Sequence, residues 1–265
     1  MHIMEDKDQQ KEIIKFLGTA GARFVVTRQL RKSGGIWITM DNTNILIDPG
    51  PGSLVNCHTS RPQFNPRDLD GIILTHRHID HSNDANIMIE AMTNGGYQKK
   101  GMLLAPRDAL EGESIILKHF QDKADQVIHL EEKGIYPIGS LSLSTPIKHD
   151  HDGETYGLHI KGSHLSISLI ADGRYFKDLE SYYPGDILIV NVVLKEKKDH
   201  IQHLSLEDAE HMIKANKPRL SILTHFGMNM IRAKPWELAE QLTEQLGVKV
   251  IAAGDGMAID LEEYW

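Results

Sequence analysis

The chain has 265 residues, 40% of them hydrophobic and 25% charged, enough for a sizeable core. Its formal net charge of −8 with histidines neutral disfavours a broad basic surface for nucleic acid. The single cysteine, Cys57, excludes an internal disulfide and suits a reducing cytoplasm. Cys57 beside His58 reads as an incidental pair in a loop. No apolar run is long enough to span a bilayer, so no membrane association is expected. The opening "MHIMEDKDQQKE" is polar and mixed in charge, unlike a secretory signal. With no repeat, low-complexity segment or Gly/Ser/Pro linker, residues 1–265 read as one domain.

Four apolar, β-branched runs come first: "IIKFLG" (13–18), "RFVVTR" (23–28), "GIWITM" (35–40) and "NILIDPG" (44–50). Their close spacing predicts consecutive antiparallel strands. "GIILTH" (71–76) is a short buried strand, followed by a helix over "SNDANIMIEAMTNGG". Ser82 or Asn83 is its candidate cap, Ile87/Ala91 and Met88/Met92 are its i,i+4 pairs, and Asn94-Gly95-Gly96 is its stop. Strands are predicted at "GMLLA" (101–105), "LSLST" (141–145), "YGLHI" (156–160), "HLSISLIAD" (164–172) and "DILIVNVV" (186–193). A helix over 205–218 has Ser205 as N-cap, Glu207 and Asp208 in its first turn, and Pro218 beyond its end. "LSILTHF" (220–226) is a buried strand. A helix over 234–247 opens near Pro235 and ends at Gly247. "KVIAA" and "GMAID" close the chain. The pattern argues for a mixed α/β layered domain.

"ILTHRHIDHSND" (73–84) crowds His76, His78, Asp80 and His81 at the end of a buried strand. Side chains at i and i+2 of an extended backbone point to one side, so His76 and His78 can grip one ion. Asp80 and His81 lie past the turn and can face a second. Imidazole and carboxylate ligands without thiolate suit zinc, with manganese or iron as alternatives. Further ligand candidates fall near other strand ends: Asp172 in "LIADG", His225 in "SILTHFG", and His149 and His151 in "TPIKHDHDGETYG".

"THRHIDH" resembles the H-x-H-x-D-H signature of the metallo-β-lactamase superfamily. "ILIDPGPGS" (45–53), a histidine near 150, Asp172 and His225 follow the family's order, so the resemblance covers nearly the whole chain. It implies an αββα sandwich, two mixed β-sheets flanked by helices, with metals at one edge between the sheets. It also implies two divalent ions. His76, His78 and His151 (or alternatively His149) would hold the first, Asp80, His81 and His225 the second, and Asp172 would bridge them. His151 is preferred because phosphodiesterase branches have a histidine six residues before a strand-opening glycine, here Gly157. Asp48 resembles an early family aspartate that supports the site from behind; a polar turn residue is the competing reading.

By this resemblance the protein is a hydrolase whose ions activate water and stabilise transition-state charge. Asp80 and Asp172 would position the nucleophile. The di-iron oxygen-reducing branch typically has a glutamate where this chain has His78. "FLGTAGA" (16–22) and "HLSLEDAEHMIKANKPRLSILTHF" resemble segments of ribonuclease Z, and the first also resembles the phosphonate-pathway cyclic phosphodiesterase. On that basis His203 is a candidate to protonate the leaving group; preceding the helix capped by Ser205 is its other reading. Only 21 positions separate His151 from Asp172, too few for a tRNA-binding arm, and the acidic charge also argues against tRNA. A cysteine-rich zinc site like that of the cyclic phosphodiesterase is excluded by the single cysteine. The expected substrate is a small phosphodiester, cyclic or nucleotide-like. The alternatives are a carboxylic ester, thioester or lactone hydrolase on the same site, and a metal-binding module without turnover. Family members are often homodimers. The segment 97–140 is a candidate pocket wall, with His119 and His129 on its surface.

Overall fold

The computed structural model describes residues 11–265, and these form two seven-stranded sheets. In the first, β1 (Ile13–Phe16), β2 (Ile36–Met40), β3 (Thr43–Ile47), β4 (Gly71–Ile73), β5 (Met102–Pro106) and β6 (Gln126–Leu130) lie side by side in chain order. In the second, the order is β7 (Gly134–Ile138), β8 (Leu141–Thr145), β9 (Leu158–Lys161), β10 (Ser166–Ile170), β11 (Ile187–Asn191), β12 (Leu220–Thr224) and β13 (Lys249–Ala252). The last strand, β14 (Ala258–Asp260), returns to the first sheet outside β1. Both sheets begin antiparallel and become parallel, at β3–β4 in one and at β10–β11 in the other.

The period-2 pattern separates inner from outer faces. Ile36, Ile38, Ile45 and Ile47 meet Ile167, Ile187, Ile189 and Ile222 in a core shared by the two sheets. Trp37 and Leu46 point outward under the helices Ser53–Thr59 and Ala85–Met92. Leu188, Val190 and Leu223 face outward under the helices Leu206–Asn216 and Pro235–Leu246. The layers are therefore helix, sheet, sheet, helix, as the sequence resemblance implied.

"RFVVTR" is not a strand but the helix Ala22–Thr27. A strand turns neighbouring side chains to opposite faces, whereas here the adjacent Val25 and Val26 both pack against Met228 and Ile231 while Arg23 and Phe24 are both exposed. The helix after the histidine motif is also interrupted, forming a turn at Ile79–Ser82 and then Ala85–Met92. Ser82 lies inside the turn and Asp84 is the N-cap of the second piece, displacing both expected caps. The segment 97–140 contributes β5 and β6 to the first sheet, then β7 to the edge of the second. His119 is exposed on it and His129 half-buried.

Candidate metal centre

The site is built where strands leave the sheets. β3 and β4 run parallel, so the residues following them emerge together. Asp48, one position beyond β3, has φ of 52°, a left-handed backbone uncommon for a non-glycine residue. Its carboxylate accepts hydrogen bonds from the Thr75 amide and hydroxyl, both at 2.7 Å, and lies 2.9 Å from His81 Nδ1. Asp48 thus fixes the segment after β4 and orients the His81 ring from behind. Gly50 makes this close approach possible: a Cβ there would lie 2.0 Å from the Asp80 carbonyl oxygen.

Two groups of side chains converge on this edge. His76, His78 and His151 present nitrogens all within 4.8 Å of one another, as do the ligand atoms of Asp80, His81 and His225. Asp172, just past β10, reaches into the second group, with its carboxylate 3.5 Å from His81 Nε2 and 3.4 Å from His225 Nδ1. His225, just past β12, also has a left-handed backbone, with φ of 57°. His203 Nδ1 lies 3.4 Å from Asp172 Oδ2. All the site residues expected from the sequence are brought together except His149. Its Nδ1 lies 3.1 Å from the Asp172 carbonyl and its Nε2 2.7 Å from the Tyr183 hydroxyl, so both ring nitrogens are engaged away from the cluster. His151 instead stands 3.2 Å from His78 Nδ1 and is oriented through its own Nδ1 by the Gln202 carbonyl at 3.0 Å.

Charge is concentrated and buried. Burial lowers His76 well below the ordinary histidine range, assisted by the charge of His81. Burial also opposes charging His81, but Asp48, Asp80 and Asp172 outweigh it and raise that pKa well above the ordinary value. Burial alone would raise the Asp172 carboxyl; His225, His203 and His81 hold it well below the usual carboxylate range. Burial likewise works against Asp80, and His81 and His225 overcome it to keep it ionised. Burial lowers His151 and His203, and it pushes His149 down to about 4.

These residues fit divalent cations. His76 Nε2, His81 Nε2 and both ring nitrogens of His225 are buried with no hydrogen-bond partner. Buried polar atoms are rarely left so, and several at one point call for a ligand. The donor set is imidazole and carboxylate without thiolate, which suits zinc, manganese or iron.

Two contributors have structural roles that the sequence did not reveal, although "FLGTAGA" stood out as a motif. Asn191 donates from Nδ2 to Asp172 Oδ1 at 2.9 Å and sets that carboxylate's orientation. A polar residue inside the apolar "ILIVNVV" was the one available hint. Gly21 packs on His225, where a Cβ would lie 2.1 Å from the His225 carbonyl oxygen. The loop is fixed there by Gly21 N–H donating to the Phe226 carbonyl and Phe226 N–H donating to the Thr19 carbonyl. "LGTAG" is therefore the platform beneath His225. The mouth above the centre is lined by Ala22, Arg23, His78, Ile79, Asp80, Asp172 and His203.

Residues 43–226 match the family described as the β-lactamase superfamily domain. A relative in Methanocaldococcus jannaschii, named Uncharacterized protein MJ1374, is 31% identical over 262 residues, covering 94% of this chain and 95% of its own. The metallo-β-lactamase fold protein YhfI from Bacillus subtilis superposes with a TM-score of 0.75 at 17% identity, covering 94% of this chain and 99% of its own. A diphosphatase of the PhnP family superposes with a TM-score of 0.67 at 18% identity, covering 94% and 97% respectively. These last two show likeness of fold. With the signature histidines, the paired sheets and a family match over most of its length, the chain belongs to the metallo-β-lactamase superfamily, with a His/Asp cluster suited to divalent metal.

Proposed function

We propose that the protein is a metal-dependent hydrolase with a dinuclear centre, acting on a small phosphodiester. The observation that carries this reading is the set of buried, unpartnered nitrogens of His76, His81 and His225, gathered with Asp80 and Asp172 at one edge of the sheets. His76, His78 and His151 are assigned to one ion, Asp80, His81 and His225 to the other, and Asp172 to both. Two such ions, zinc foremost, would supply Lewis acidity and lower the pKa of water when bound.

The chain's own residues do the rest. Asp48 holds the His81 ring through Nδ1, leaving Nε2 directed at the cluster. Asn191 keeps one Asp172 oxygen fixed, so its other oxygen faces His81 and His203. Asp80 and Asp172, both held ionised, accept hydrogen bonds from the attacking water and orient it. His203 stands at the mouth with Nδ1 beside Asp172, and we assign it protonation of the departing oxygen. Phosphorus chemistry is supported by the motif likeness of "LGTAG" and His203 to ribonuclease Z and by the diphosphatase that shares the fold.

The test is metal content by plasma mass spectrometry on protein purified without chelator, with turnover of bis(p-nitrophenyl) phosphate and of an acyl thioester on the same sample. About two equivalents of metal and diester turnover, both diminished in Asp172→Ala, are expected. Thioester turnover with no diester hydrolysis would move the assignment to acyl substrates. Failure to take up any metal would remove the enzymatic reading.

A further inference from the structure

The metal centre opens into a groove with three chemically distinct compartments. The first is the mouth, a cavity of about 340 Å³ lined by Arg23, His78, Asp80 and His203. Ala22, Arg23 and His203 also line a second cavity of about 340 Å³, whose other walls are apolar: Phe24, Val25, Val193, Ile201 and Met228. Leu194 and Asn229 in turn belong both to that cavity and to a third, of about 360 Å³, which contains Lys195, Lys198 and Arg232. Glu196 is there as well, but stands 3.9 Å from Lys195, and the two charges offset. Arg23, Lys198 and Arg232 have no ion-pair partner among the described residues. At the mouth Arg23 stands among the ionised Asp80 and Asp172, so on this chain of net charge −8 the reversal of sign is local to the far compartment, where Lys198 and Arg232 lie together.

Resting on the proposed phosphodiester reading, we infer that the substrate is a nucleotide phosphodiester bearing a second phosphate. The scissile group lies at the mouth beside Arg23, and the intervening nucleoside lies over the apolar compartment. Phe24, 60% exposed at the groove, offers a flat face to a base. The second phosphate meets Lys198 and Arg232, the latter suited to bidentate contact with phosphate oxygens. This arrangement distinguishes a terminally phosphorylated short oligonucleotide from a simple diester, which fills the mouth alone.

The experiment compares two dinucleotides, pApA and ApA, on the metal-loaded protein. Water adds across the P–O3′ bond, the 3′ oxygen leaves with a proton, and the products are two AMP from pApA but adenosine and AMP from ApA. The expected kcat/KM ratio favours pApA by about tenfold or more, the effect of one or two charge-assisted hydrogen bonds. In Lys198→Ala/Arg232→Ala that ratio falls towards one. Because each ratio is internal to one sample, partial loss of folded protein does not alter it. Equal rates on both dinucleotides, or a ratio unchanged in the variant, overturn this inference while leaving the phosphodiesterase reading intact. No turnover of either dinucleotide or of bis(p-nitrophenyl) phosphate overturns both.

Discussion

His149 and His151 are two positions apart, both near the centre, and have opposite environments. His151 shares the nitrogen cluster with His76 and His78, whereas both nitrogens of His149 are spent on the Asp172 carbonyl and Tyr183. The His151→Gln protein is therefore expected to lose metal, measured as equivalents per chain, while His149→Gln keeps it and loses stability. A buried hydrogen bond left half-made costs about 1–3 kcal/mol, so the urea midpoint, not metal content, reports His149. Its pH dependence has a definite sign. With a folded pKa of about 4 against an ordinary 6.5, His149 is neutral in both states above pH 6.5, and the native state is unaffected there. As pH falls through that value the unfolded chain takes up a proton that the folded chain does not. The native state loses stability progressively, by about 3 kcal/mol near pH 4, where the effect levels off. In chelator-treated samples, stability should fall less in His149→Gln than in the wild type between pH 6.5 and 4. Equal slopes would show that His149 does not carry the effect.

The connections that support the ligands depend on close backbone approaches, and here the sequence was only partly legible. Gly21 sits against His225, and a methyl group there would meet the His225 carbonyl and ring together. Overpacking of this kind costs about 1–3 kcal/mol, and relief requires the "LGTAG" loop or His225 to move. Gly21→Ala is expected to lower both thermal stability and hydrolysis, while the same change at Gly247, whose Cβ would meet nothing, spares hydrolysis. Equal activity of the two variants would show that the platform does not set His225. What the sequence displayed were features with local causes. Continuous apolar, β-branched runs mark β2 and β3, which are buried on both faces, Ser205 and Asp208 form the expected cap, and Pro235 and Gly247 bound the last long helix. The signature residues were legible because they are close in the chain and share one strand end. What stayed hidden has tertiary causes. "RFVVTR" is helical because Val25 and Val26 both find Met228 and Ile231. β6 and β7 carry weak strand signals because they are edge strands, one only partly buried and the other containing Pro137. Asn191 matters only because β11 lies beside β10, an adjacency that no local pattern encodes.

At the scale of the whole molecule, the centre joins the two sheets. His76, His78, Asp80 and His81 follow β4 of the first sheet, whereas Asp172 and His225 follow β10 and β12 of the second, with His151 ahead of β9. The apolar core between the sheets is continuous, but at this edge the contacts are polar: ionised carboxylates and imidazoles with unpartnered nitrogens. Bound metal would tie the layers where hydrophobic packing does not. A ligand that binds only the folded state stabilises it by about 4 kcal/mol at a thousandfold excess over its Kd. For a chain of this size that corresponds to roughly 10 °C in Tm. Removing metal with a chelator should lower Tm by about that much, and adding back zinc should restore it. Asp172→Ala supplies the control that separates bridging from general chelator effects. It removes the carboxylate that stands within 3.5 Å of His81, His203 and His225 together, so its Tm should be lower at the outset and respond less to chelator. A wild-type Tm indifferent to chelator, with metal loss verified by mass spectrometry, would mean that the sheets hold this edge unaided. The metal's contribution would then lie in chemistry alone.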